Sequence, residues 1–519
     1  MTTRNDIKGW WLGIFREVRS HTTIYVLLTT ILLGAFFVRA FRVQELLAFY
    51  FDQGRDALVI WKLWHEGKPF LIGPVTGLAG IFLGPFYYYL IAPFYLIGGG
   101  NPAYPAIFLA FISTLGVFML YFLGAKFLSR ETGLIAATIG SFSYFIVLAG
   151  RWLANPTPIL LSSMLLLWFM WELAKNGNKR YWYGVAIMVG VSMHFESASA
   201  IFYIPMVLIF IVWYLIKLYK ERQLSYEILK VLAIAGILFF LTLTPQIAFN
   251  FKHENILLNN IQKIILEEKS FSLDYKKVIS WRLKYFWGVF SYKIFPGWVF
   301  YAFIFSMLSF FVLIVKRREL RDKYILPLLI LFIGIPMVGY TLYQGNYGNI
   351  YDYYMTGYYL PMILFFSLGL GLLWKTNSGK IAVLIFFILF FTLSGTLIKN
   401  LLNDDLKGPA HVSMGNQLTA VNWAYKDAER FTEFNVDVYV PPVIPHSYDY
   451  LFKWIGTKKC GNNLCGLVEE RRQYVYTLFE QDPPHPERLE NWISRYYDTS
   501  EVEEEFKSGG ITVQRRRRI

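Results

Sequence analysis

The chain is 519 residues long, 55% hydrophobic, 19% aromatic and only 17% charged, with a formal net charge of +14. That composition departs from a soluble globular protein on both the apolar and the charged count. The Lys and Arg fall mostly in short loops between apolar runs, a topology signal of membrane proteins, so the positive charge is not read as a nucleic-acid surface.

Runs long enough to cross a bilayer as helices are 22–40, 104–124, 132–149, 156–174, 183–200, 201–218 and 229–249, followed by 295–315, 324–343, 358–374 and 381–397. The first run follows Arg16 and Arg19 and lacks a small-residue cleavage site, so it reads as an anchored span. A further candidate, 81–96, contains Gly84, Pro85 and Pro93. The basic connections decide its status. Segments 126–130, 175–180, 217–222, 316–323 and 375–380 share a side with the basic N-terminus (Arg4, Lys8, Arg16, Arg19) only if the spans number eleven. Segment 81–96 is then re-entrant or interfacial. The expected architecture is an all-α polytopic membrane bundle of about eleven transmembrane helices over residues 1–400. Its outer loops are 41–103, a long first loop, and 250–294, where 256–287 reads as an amphipathic surface helix.

Residues 401–519 have ordinary globular composition and read as a small, soluble, extracytoplasmic α/β domain. Strands are expected over 436–440, 474–479 and 511–514, and helices over 414–429, 486–497 and, briefly, 448–454. Cys460 and Cys465 are the only cysteines; the Gly and Asn between them allow a turn and a local disulfide, and two cysteines alone do not make a zinc site. The run Arg515–Arg518 reads as a solvated tail or one that touches anionic lipid.

The chemistry-bearing residues cluster after the first span. In Tyr50-Phe51-Asp52-Gln53-Gly54-Arg55-Asp56 a helix places Asp52 and Asp56 on one face, one turn apart. Such a pair suits a general base on an acceptor hydroxyl, or a divalent cation site. The plainer reading is that both pair with Arg55, Lys62 or Lys68. Downstream, Gly73-Pro74 and Gly84-Pro85 break any long helix, and Tyr87, Tyr88 and Tyr89 are amphipathic, as suits a loop folded onto the membrane surface. Arg151 abuts the end of the third run and leads the cations suited to a lipid phosphate; the others are Arg55, Lys68, Lys252, His253, Lys276, Lys277, Arg282 and Lys284. His194 and Glu196 lie at the bilayer edge, where ionisable groups are functional candidates or structural pairs. Asp352, flanked by Tyr351 and Tyr353, reads as a sugar-binding carboxylate or part of an aromatic anchor.

The order of first span, acidic motif, Gly-Pro segment, Gly84-Pro85-Phe86-Tyr87-Tyr88-Tyr89 and second span resembles the GT-C glycosyltransferases. It is most similar to their protein O-mannosyltransferase and lipid A aminoarabinose transferase families. Arg151 with Asn155-Pro156, His194 with Glu196, Pro245 before Phe249, and Tyr351-Asp352-Tyr353-Tyr354 before Pro361 extend the resemblance across most of the membrane region. The resemblance implies a sugar donor carried on polyprenyl phosphate, a lipid, glycan or protein acceptor, and transfer on the outer face of a plasma membrane. It places a base or metal ligand at Asp52. Relatives commonly carry Asp-Glu where this chain has Asp52-Gln53, so a second acid role passes to Asp56 or lapses, and a divalent cation stays open.

The rival readings are a transporter or lipid flippase, and a non-catalytic envelope-assembly subunit. A repeat-type transporter requires related halves, and the long first loop has no counterpart in the second half. The subunit reading requires that Asp52→Asn be silent.

Overall fold

The computed structural model describes residues 17–77, 80–266, 275–343, 350–409, 411–441 and 444–519. The membrane region runs α1 (Thr22–Ala40), α2 (Phe51–Glu66), α3 (Phe86–Ile97), α4 (Ala103–Phe127), α5 (Arg130–Phe142), α6 (Tyr144–Arg151), α7 (Ile159–Asn176), α8 (Tyr181–Phe195) and α9 (Tyr203–Lys220). It continues through α10 (Tyr226–Thr242), α11 (Thr244–Lys252), α12 (Ile256–Leu266), α13 (Tyr275–Ile294), α14 (Val299–Val315), α15 (Ile325–Leu342), α16 (Thr356–Leu373), α17 (Asn377–Phe390) and α18 (Thr396–Leu402).

Among the described residues six helices are long and apolar enough to cross a membrane, and nine units are if each bent helix pair is one span. All eleven apolar runs fall on these units or on α7 and α8. The chain is a multi-pass membrane protein, and its outward-facing Leu33, Phe240, Phe300, Phe311, Ile330 and Ile388 are exposed as lipid contact demands. The core sits on α16, of which all but Phe365 and Leu373 are buried. Segment 81–96 contributes the short apolar helix α3, well under bilayer length.

Three breaks shape the bundle. The pairs α5–α6, α10–α11 and α13–α14 bend by 65°, 54° and 92° respectively. Pro245 opens α11, and Pro296-Gly297 separates α13 from α14. At the first break Ser143 leaves the helix and donates its hydroxyl to the Lys293 carbonyl of α13. The expected surface helix over 256–287 is instead two helices, α12 and α13; Phe286, Val289, Phe290 and Ile294 of α13 are buried in the bundle.

The C-terminal domain holds α19 (Met414–Ala428), α20 (His446–Cys460) and α21 (Pro486–Ile493) around strands β1 (Asn435–Tyr439), β2 (Tyr474–Glu480), β3 (Ser500–Ser508) and β4 (Ile511–Arg518). The sheet order is β1-β2-β4-β3: β1 and β2 are parallel, joined by a crossover through α20, and the other pairs are antiparallel. Cys460 and Cys465 are disulfide-bonded at the end of α20.

The Arg515–Arg518 run is not a tail. It is the second half of β4, and Arg515 is buried against Asp427 at 2.7 Å with Glu503 at 3.3 Å. The acid-rich β3 lies beside it, so opposite charges meet across the antiparallel pair.

The C-terminal domain is clamped onto the first outer loop. The Met414 N–H donates to the Leu47 carbonyl at 2.9 Å, the Tyr50 hydroxyl to the Val412 carbonyl at 2.9 Å, and Arg42 to the Leu402 and Asp404 carbonyls at 2.9 Å each. Gly54 permits the closest approach: a Cβ there would lie 2.3 Å from the backbone of His446 and Ser447. α20 therefore rests directly on the helix that carries the acidic motif.

Candidate active site

α2 begins because Gln53, three residues in, accepts a hydrogen bond from the Tyr50 N–H at 3.1 Å. The glutamine that replaces the expected acid is thus a buried cap. Asp52 and Asp56 follow on one face, and Arg55 binds both, through Nη1 to Asp52 Oδ1 and Nη2 to Asp56 Oδ1, each at 2.8 Å.

The two carboxylates differ sharply in setting. Asp52 is 61% exposed in its side chain and Asp56 only 6%. Asp56 also accepts from the Tyr88 hydroxyl at 2.9 Å. Burial pushes the Asp56 carboxyl up to about 6, against the pull of Arg55 and Tyr88. Asp52 is the carboxylate an incoming group can reach. The Arg55 guanidinium stands between the two acids, so this pair as arranged is not a cation site. The residues whose ligand atoms do converge, within 4.8 Å among those described, are Asp404, Asp405 and His411. They lie in the connection to the C-terminal domain, and exposed acidic groups commonly cluster without an ion.

The Gly-Pro segments form a small hairpin. Gly73 N–H donates to the Leu83 carbonyl at 2.7 Å and Leu83 N–H to the Pro74 carbonyl at 3.0 Å. A Cβ on Gly84 would sit 2.0 Å from His194 Nδ1, so only glycine lets the hairpin lie on that ring. His194 Nδ1 faces the Phe86 N–H at 3.3 Å and Nε2 faces the Thr242 carbonyl at 2.8 Å. Those partners fix the neutral tautomer with its proton on Nε2. His194 thus pins α3 to the bend between α10 and α11.

A cavity of about 340 Å³ lies below the loop. Its lining includes Leu47, Ala48, Arg151, Trp152, Asp352 and Tyr359; Asp52 lies four residues after Ala48, beyond the non-helical 48–50 that lead into α2. Arg151 also donates to the Val38 and Phe41 carbonyls, at 2.8 and 3.1 Å. Asp352 pairs at 2.8 Å with Lys293, a residue the sequence did not single out. Lys293 lies over the Tyr359 ring at 4.2 Å and the Phe145 ring at 5.2 Å. The only sequence signal for it was a lysine just before an apolar run; its partner is 59 residues away.

The other candidates are dispersed. Glu196 is buried, accepting from the Ala198 N–H at 3.1 Å, and Asn155 bridges it to the Phe195 carbonyl. Tyr87 is buried, with no partner for its hydroxyl among the described residues. Tyr351 stacks on Tyr353 at 5.6 Å. Lys68 pairs with Glu66 at 2.6 Å, and Lys252 and His253 are exposed. Arg282 donates to the Tyr343 carbonyl at 3.1 Å and Lys284 is exposed, whereas the side chains of Lys276 and Lys277 lie outside the described residues.

Residues 83–246 match the family model described as dolichyl-phosphate-mannose-protein mannosyltransferase. The fold is that of ArnT from Cupriavidus metallidurans. In its apo state that structure superposes with a TM-score of 0.60 at 10% identity, covering 96% of this chain and 98% of the other. Bound to undecaprenyl phosphate it superposes with a TM-score of 0.58 at 11% identity, covering 95% and 98%. No curated protein matches the chain by sequence.

Proposed function

We propose that the chain is a glycosyltransferase that moves a sugar from a polyprenyl-phosphate donor to an acceptor on the outer face of the plasma membrane. The observation that carries the reading is the contrast within one helix: Asp52 is open to an incoming group, while Arg55 holds it from below and Asp56 is buried. The family match over 83–246 and the likeness to a structure with bound undecaprenyl phosphate support the donor class.

In this mechanism Asp52 takes the proton of an acceptor hydroxyl or amine as its oxygen or nitrogen attacks the anomeric carbon. The bond to the phosphate oxygen breaks, and the polyprenyl phosphate leaves with the electron pair. Arg151, in the cavity wall, and Lys293, paired with the lining residue Asp352, offset the charge it carries. Asp352 holds Lys293 in position and meets sugar hydroxyls with its free oxygen. A single displacement inverts the anomeric configuration.

The disulfide supports placing α20, and with it the first loop, in an oxidising space outside the cytoplasm. The test is transfer of radiolabelled sugar from polyprenyl-phosphate donors to membrane acceptors, comparing wild type with Asp52→Asn at matched expression. Loss in the variant of 10³-fold or so upholds a catalytic carboxylate. Equal transfer by both proteins rules out the role of Asp52, and retention of configuration rules out single displacement.

A further inference from the structure

The C-terminal half of α2 lines a second cavity, of about 230 Å³, on the seam with the C-terminal domain. Six of its thirteen lining residues carry rings: Trp61, Trp64 and His65 from α2, Tyr95 from α3, and Tyr450 and Trp454 from α20. It is smaller than the roughly 300–1,000 Å³ of sites for drug-sized ligands, and suits a single ring.

The rings are held by their polar tips. Trp64 Nε1 donates to the Ala92 carbonyl at 3.0 Å, Trp454 Nε1 to the Gly99 carbonyl at 2.7 Å, and the Tyr450 hydroxyl to the Gly100 carbonyl. Tyr450 and Trp454 lie nearly parallel, 16° apart, and Trp61 stands edge-on to Tyr450 at 80°. The cleft therefore presents fixed aromatic surface with few free donors. Such surface stacks on the apolar C–H face of a pyranose, as aromatic platforms stack on other flat rings.

The rim is cationic. Lys458 lies 6.0 Å from the Trp454 ring and Lys453 5.8 Å from the Trp61 ring. The nearby carboxylate, Glu66, is held below the usual range by its bond to Lys68, with Lys453 and Lys62 adding to the field. Among the lining residues Lys458 alone carries a full charge, so the local field favours an anionic ligand. The cleft shares its helix with the acidic motif: Ala57, in its wall, directly follows Asp56.

We propose that this cleft binds a pyranose ring carrying an anionic substituent, phosphate or carboxylate, and so seats the acceptor saccharide about two and a half to three and a half turns along α2 from Asp52. The assignment rests on the transfer reading above for the word acceptor, but the binding itself does not. An acyl chain is the other occupant an apolar cleft invites; the aromatic walls and lysine rim argue against it.

The experiment uses full-length protein in nanodiscs without donor, photolabelled with a diazirine derivative of a glucuronic acid-containing disaccharide and mapped by peptide mass spectrometry. Label is expected on α2 within 61–65 or on α20 within 450–458, with unlabelled anionic disaccharide competing at least tenfold better than its neutral glucose counterpart. Lys458→Glu, a change on the exposed rim, is expected to cut labelling at least fivefold with an unchanged unfolding midpoint, and Trp454→Ala to abolish it. Competition by sodium laurate but not by the disaccharide, equal competition by the neutral sugar, or labelling indifferent to Lys458→Glu would overturn the proposal. Labelling at the cleft in a protein that transfers no sugar upholds the cleft and removes the transferase reading. Transfer to a saccharide with no label at the cleft does the reverse.

Discussion

Arg151 caps the helix that carries Arg39, and Arg39 caps α5, the partner of Arg151's own helix across the first break. Arg39, fully buried in α1, donates to the Gly140 and Ser141 carbonyls at 2.8 and 3.0 Å, closing the end of α5 at the break before Ser143. It also reaches the Ser113 hydroxyl at 3.1 Å and the Ala35 carbonyl at 2.9 Å. Arg151, at the end of α6, returns the contact by donating to Val38 and Phe41 at the end of α1. Backbone carbonyls at a helix end within a bilayer lack water, and each arginine fork supplies what the broken helix gave up. The exchange fixes the wall of the larger cavity.

Arg39→Met would leave two buried helix-end carbonyls unpaired, at a cost of about 3 kcal/mol or more. Gly150→Ala attacks the same contact from the other side, since its Cβ would lie 2.6 Å from Arg39 Nε and 2.4 Å from Ser113 Oγ. Both variants are expected to lower the unfolding midpoint in detergent clearly, while donor KM of the surviving folded fraction changes less than twofold. A wild-type midpoint for Arg39→Met would show that the carbonyls find other partners.

Asp56 gives the stability a pH dependence whose sign is fixed. An aspartate in the unfolded chain ionises near 4, and burial raises this one to about 6. From about pH 4 upward the unfolded chain releases the proton while the folded chain keeps it. The stabilisation is therefore full at low pH and is lost as pH rises through 6, by about 3 kcal/mol. Relative to Asp56→Asn, the wild-type midpoint should fall between about pH 4.5 and 6.5 and then run parallel. Parallel curves throughout would mean that Arg55 and Tyr88 balance burial, and a relative rise with pH that they outweigh it.

The membrane architecture was legible because lipid demands uninterrupted apolar helices, and all eleven runs lie on helices or bent pairs. The one-turn spacing of Asp52 and Asp56 was legible for the same local reason, and Arg55 on both acids was the plainer of two readings. What escaped depends on contacts distant in sequence. The role of Arg39 needs carbonyls about a hundred residues away, and Lys293 has no pattern until Asp352 folds onto it. Strand β3, with Glu501 and Glu503–Glu505, lacks apolar alternation, so it went unread, and its partner Arg515–Arg518 read as a tail.

The Lys293–Asp352 pair is asymmetric. Lys293 is 4% exposed in its side chain and Asp352 54%, so only the aspartate can turn to water when its partner is lost. Asp352→Asn strands a buried ammonium and is expected to destabilise by about 3 kcal/mol. Lys293→Met leaves a solvated carboxylate and an apolar stem of similar length, and should cost under about 1 kcal/mol. In the transfer assay the order reverses in kind: Lys293→Met is expected to raise donor KM about tenfold, because the phosphate loses a cation. Unfolding midpoints and donor titrations on both variants separate the effects, and equal destabilisation would contradict the burial difference.

The cysteine pair offers a direct test of orientation. Cys460 and Cys465 are the only two in the chain, so any thiol label must land on them. If the C-terminal domain lies outside the cytoplasm, a membrane-impermeant maleimide should not react with intact cells. After a membrane-impermeant phosphine reductant it should react fully, without permeabilisation. Reduction opens a short loop at the end of α20 and is expected to cost roughly 2 kcal/mol of stability by loop-closure entropy. Because Met414, Tyr50 and Gly54 fasten this domain to α2, its side of the membrane is also the side of Asp52. Reaction only after permeabilisation, with or without reductant, would move the acidic motif to the cytoplasmic face and require a donor presented there.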